Sequence, residues 1–186
     1  MGEGRRRGWI GIGLFTAAAV AGGSLVGAVA GLVGTALPRL STHEALLAVA
    51  ATGLGVALLD GRGRTPTLRR QTRPHWWRTH GPYRAALMWG FDLGLGFTTI
   101  RVASLYWAVL LAAVLLASPV SGALVFAAYG LAIGVDLVVG LLFLDRPSCG
   151  LRANIRALEL SPRMKAALLV SLVAWSAFLG VKGLAA

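Results

Sequence analysis

Apolar positions in this chain come in long unbroken runs, not at the spacing of a one-faced helix or an alternating strand, and short basic stretches separate the runs. A bilayer span needs about 20 predominantly apolar residues. Runs at 9–37, 44–59, 120–144 and 166–184 meet or approach that length, the second being short. A further run, 85–118, is too long for one upright helix. About 33 residues rising about 1.5 Å each would reach about 50 Å, against a hydrocarbon core of about 30 Å. It must tilt, project or break. Gly90, Gly94, Gly96, Thr98 and Thr99 mark where a break falls, because glycine lowers helix propensity and threonine hydroxyls compete for backbone carbonyls. The expectation is an all-α, polytopic integral membrane protein, one transmembrane domain of about five helices whose third is open to a break.

Composition agrees with that pattern. Of 186 residues, 56% are hydrophobic and 13% charged, and the mean hydropathy is +0.72, outside the balance of a soluble domain. The net charge of +11 could point to nucleic acid. The basic residues lie between apolar runs, however, so they read as topology signals and no nucleic-acid partner is expected. The apolar stretch behind Arg5, Arg6 and Arg7 is far longer than the 7–15 residues of a secretory h-region, so it is expected to be a retained helix. Those arginines, the segment 60–84 and the cations from Arg146 to Lys165 fall on one side, against Arg39 and Lys182 on the other. The positive-inside rule then places the N-terminus in the cytoplasm and the C-terminus outside a cell membrane.

The basic segment 60–84 is the longest polar stretch, and Pro66, Pro74 and Pro82 argue against a continuous helix there. Arg69, Arg70, Trp76, Trp77 and Arg78 suit the headgroup layer, where amphipathic rings settle and arginines meet anionic lipid. Contact with membrane lipid is the first reading, and docking of a cytoplasmic partner the second.

Three ionisable residues fall inside apolar runs: Asp92, Arg101 and Asp136. At mid-span each costs about 2.5–3.5 kcal/mol, so such residues usually face the protein interior and pair. Arg101 lies 17 positions before Ser118 and Asp136 lies 17 after Pro119, which brings both to similar depth on an antiparallel hairpin. The pair would act as a register lock or as a functional gate. A bend near Gly94–Gly96 would let Asp92, Thr98 and Thr99 line a polar cavity of the kind discontinuous helices build in transporters. Gly23, Gly27 and Gly31 form a small-residue stripe, repeated by Gly90/Gly94 and Gly130/Gly134, that predicts close helix packing within the chain.

No catalytic motif is evident. His43, His75 and His80 do not have metal-ligand spacing, so neither a metal nor another cofactor is expected. Cys149 is the single cysteine, which excludes a dithiol pair within the chain.

The segment MWGFDLGLGFTTIRVASLYWAVLLAAVLLASPVSGALVFAAYGLAIGVDLVVGLL resembles the second half of the DsbD/CcdA-type transmembrane domain of thiol–disulfide electron carriers in cytochrome c biogenesis. GFTTIRV stands where that family has a broken-helix WTPCxGP motif, and AYGLAIG looks like its later tyrosine–glycine segment. GLFTAAAVAGGSLVGAVAGLVGTAL and ALLAVAATGLGVALLDGR look like its second and third helices. The family's first helix, with the other redox cysteine, has no counterpart upstream of Trp9, and Ile100 occupies the remaining cysteine's place. Thiol exchange by the family's mechanism needs two thiols in the membrane. What the resemblance implies is a scaffold without that chemistry. The expected role is a noncatalytic subunit or accessory of a membrane complex, with another membrane protein as partner. A small transporter using Asp92, Thr98, Thr99, Arg101 and Asp136 is the alternative, and a membrane enzyme the third reading.

Overall fold

The computed structural model describes residues 3–38, 40–62, 76–96, 105–144, 166, 170, 171, 173–182 and 184. Among them every regular element is a helix: α1 (Glu3–Thr35), α2 (Thr42–Gly61), α3 (Trp76–Leu95), α4 (Leu105–Leu115), α5 (Pro119–Leu144) and α6 (Val173–Lys182). Three stretches are long and apolar enough to cross a bilayer: Arg6–Thr35, Thr42–Gly61 and Pro119–Val139. They correspond to the first, second and fourth runs of the sequence. Their surfaces are apolar too, with Leu32, Leu58, Val120 and Leu124 all at least 57% exposed. Exposed apolar side chains in such numbers suit a lipid solvent. The chain is all-helical among its described residues, with three helices long and apolar enough to cross a membrane.

Local chemistry sets the helix ends. Ser41 caps α2 by accepting from the Glu44 amide (3.2 Å), while the Glu44 carboxylate accepts from the Ser41 amide at 2.8 Å and from its hydroxyl at 2.9 Å. Two otherwise orphaned amides are satisfied reciprocally. Pro119 opens α5, where the missing N–H costs nothing. At the end of α4, Ala117 takes φ 46° and its amide bonds the Val114 carbonyl at 3.0 Å.

The long run 85–118 is not one helix. α3 stops at Leu95, Gly96 turns to φ 72° with its amide on the Leu93 carbonyl (3.0 Å), and the next described helix starts at Leu105. Only a residue without Cβ adopts that φ cheaply, and the left-handed turn ends the helix. The other end of α3 differs from expectation. The expected loop reaches residue 84, yet the chain is helical from Trp76, with one interruption at Gly81 (φ 74°, ψ 169°). Pro82 does not break a helix here. It starts the second half, at a position that needs no amide donor.

The chain divides into two compact units. The first takes Met1–Val29, Leu68–Ile100 and Pro119–Pro147, and so contains most of α1 with α3 and α5. Phe15, Ala19 and Ala86 are buried at its centre with Trp89, Leu93 and Ile133 against them. The second takes Ala30–Thr67, Arg101–Ser118 and Ser148–Ala186. There Val56 and Ala57 of α2 pack on Ala108 of α4, with Trp107 alongside.

Candidate functional site

The first unit is assembled on glycine. A Cβ placed on Gly27 would overlap the Gly122 carbonyl, and one on Gly122 would overlap the Gly27 carbonyl, so α1 and α5 cross backbone to backbone. Gly23 meets the Phe126 carbonyl in the same way, and Phe126 is fully buried. On the other side of α1, Gly90 lies against Phe15 and Gly94 against Ala19. Gly130 of α5 also lies against Ala19, and Gly134 against the Thr16 side chain. Ala19 is therefore where three helices converge, and it is 0% exposed. Gly31, the third residue of the stripe, is also buried. Close backbone approach of this kind maximises dispersion contact where lipid removes the hydrophobic drive between helices.

These contacts fix helix direction. Residues 15 and 19 of α1 meet 90 and 94 of α3 in the same order, so the two helices are parallel. Residues 16, 19, 23 and 27 meet 134, 130, 126 and 122 of α5 in reverse, so α5 is antiparallel. One end of the unit thus collects the starts of α1 and α3 and the finish of α5. Arg6, Arg7 and Arg84 are exposed there.

The same register sets the level of the two aspartates. Gly90 sits opposite Phe15 and Gly134 opposite Thr16, so Asp92 and Asp136, each two residues further on, lie within about 6 Å of one depth. That depth is about 13 Å along α1 from Arg7. Their surroundings differ. Asp92 is buried, at 8% exposure, and it has interaction partners in the structure. Asp136 is exposed on an α5 face that also exposes Leu131, Val135 and Val139. The sequence expectation turns Asp136 toward the interior; the structure turns it outward. Two residues along a helix is a rotation of about 200°, so the glycine that faces α1 sends the aspartate to the opposite side.

Thr98, Thr99 and Arg101, the other members of the expected polar path, lie outside the described residues, as do Arg69, Arg70 and Cys149. Trp76, Trp77 and Arg78 form the first turns of α3. Asp92 and Asp136 are brought to one level but to different surroundings.

Two features escape the sequence reading. Gly90–Gly96 and Gly134–Gly140 share the pattern Gly-x-Asp-Leu-x-x-Gly, an internal repeat that ties each aspartate to a packing glycine. Ser176 on α6 is fully buried, and its Oγ has no hydrogen-bond partner among the described residues. The repeat is visible in the letters once the two segments are aligned; Ser176 carries no such signal.

Fold and site together give a helical chain, three of whose helices are long and apolar enough to cross a membrane, with two aspartates at one level of a glycine-packed three-helix unit. No protein-family model, curated protein or solved structure matches the chain.

Proposed function

We propose that this protein is a noncatalytic membrane scaffold of DsbD/CcdA-like design that acts as a subunit or accessory of a larger membrane complex. The observation that carries the reading is the exposed Asp136. A carboxylate facing hydrocarbon costs about 2.5–3.5 kcal/mol on insertion scales, and a partner helix offering a hydrogen-bond donor or a cation removes that cost. Residues flanking Asp136 are apolar and exposed, as the face of a subunit is before its partner covers it.

Three further points support the reading. α3 ends at Leu95, immediately before the GFTTIRV segment, which opens at Gly96 and stands where the family has its broken-helix motif. The single cysteine leaves no dithiol within the chain to carry electrons. Exposed arginines gather at the end of the first unit that holds the start of α1, consistent with a cytoplasmic N-terminus in a cell membrane, five spans and an external C-terminus.

Gentle extraction of a tagged chain, crosslinking and mass spectrometry test this. A stoichiometric membrane partner is expected, and Asp136→Leu should release it while the chain itself remains folded. A chain recovered alone, or a partner retained equally by the variant, would remove the reading's foundation.

Burial of Asp92 favours a second reading, a small transporter, because intramembrane carboxylates commonly mark ion or substrate paths. It predicts that Asp92→Asn abolishes ion-coupled uptake into proteoliposomes while leaving the melting temperature nearly unchanged.

A further inference from the structure

Within the first unit, α1 and the second half of α3 leave a groove of 520 Å³ between them, which Leu137 of α5 also lines. Apolar side chains, Phe15 and Trp89 among them, make up most of its lining, and Arg7 and Tyr83 line it toward the start of α1. Arg7 is exposed, as are its neighbours Arg6 and Arg84, and Tyr83 is 38% exposed. The groove is thus an apolar slot with one cation, Arg7, at its α1-start end, where an interface with water is expected.

Two glycines shape it. Gly8 and Gly11 both line the groove, and a Cβ added to either would meet nothing within 4 Å. Every glycine of α1 from Gly22 to Gly27 does the opposite, overlapping the backbone of a neighbouring helix. Gly8 and Gly11 do not serve packing within this chain. What their missing side chains provide is room.

We infer that this groove seats one acyl chain of an anionic phospholipid from the surrounding bilayer, with the lipid phosphate at Arg7. The apolar walls match the chain, and the cationic end matches the phosphate and any further negative charge of the headgroup. A spanning partner helix is a poorer occupant: from Arg7 to Phe15 the groove runs about 12 Å, against about 30 Å for a helix crossing the core. The inference needs only a bilayer around the chain, so it stands or falls separately from the scaffold reading.

The test is native mass spectrometry of the full chain released from nanodiscs containing equal phosphatidylglycerol and phosphatidylcholine. The wild-type chain is expected to retain one phosphatidylglycerol in preference to phosphatidylcholine. Gly11→Leu should fill the groove and lower that retention at least tenfold with an unchanged melting temperature, since the added side chain meets no backbone. Gly8→Val is the second filling variant and reports the same outcome should Gly11→Leu fail to fold. Arg7→Gln should keep a bound lipid but lose the preference for phosphatidylglycerol. Equal retention of both lipids by the wild type would overturn the inference. So would full retention by a folded groove-filling variant, or a protein partner that these variants release in place of lipid.

Discussion

α3 and α5 carry the same short pattern, Gly-x-Asp-Leu-x-x-Gly, and both set its first glycine against α1 at one level. One aspartate ends up buried and the other exposed. The difference cannot come from the local sequence, because in each helix the aspartate is rotated about 200° from the packing glycine. It comes from the surroundings of each aspartate: Asp92 is enclosed, and Asp136 is open. An acid within an apolar run is therefore not one kind of feature. At Asp92 it is part of the interior, and at Asp136 it is part of a surface.

The glycines that pack each helix on Ala19 give the strongest way to break this comparison. Gly130→Leu should force α5 away from Ala19, where three helices meet, and Gly94→Leu should do the same to α3. Overpacking commonly costs about 1–3 kcal/mol, and backbone overlap exceeds the usual case. The expected outcome is loss of the monodisperse peak in detergent chromatography for both variants. A folded Gly130→Leu chain would mean that α5 does not pack on α1 in this register.

The aspartates themselves come next. Asp92→Leu strands the groups that now partner a buried carboxylate and should cost about 1–3 kcal/mol. At about 2–4 °C per kcal/mol for a chain of this length, thermal unfolding in detergent would read it directly. Asp136→Leu should leave the melting temperature of the isolated chain unchanged or raise it, because leucine suits an exposed apolar face better than a carboxylate does. Equal destabilisation by the two variants would erase the distinction between them.

A smaller effect calibrates the measurement away from both. Ser41→Ala removes the reciprocal cap of α2 and should cost about 1 kcal/mol. Ser41→Asp, which keeps an acceptor at the cap, should recover most of it.

Much of this architecture is legible in the letters, and the limits are physical. Length and hydropathy locate the helices α1, α2 and α5 because a span's minimum length is set by the bilayer. The end of α3 at Gly96 is legible because glycine tolerates the left-handed turn. Its start is misjudged because proline breaks a helix interior but suits a helix start, and Pro82 is at a start. The Ser41–Glu44 cap has a plain S-x-x-E signature and can be found by looking for it. For the candidate site, counting from the Ser118–Pro119 turn gives the depth of a residue but not the direction in which it points. Burial of Asp92 and exposure of Asp136 depend on neighbours distant in the chain, which no local spacing encodes.

The reciprocal crossing of Gly27 and Gly122 also bears on how the chain is made. α1 is synthesised first, and the backbone it fits is not yet in the membrane until α5 has left the ribosome, almost a hundred residues later. During that interval the Gly23 and Gly27 face of α1 has no α5 to close on, and contacts between residues so far apart in the chain form late. Translation interrupted at Ser118 would leave an early helix with a smooth, small-residue face exposed to lipid, a form that membrane quality control can recognise as unfinished.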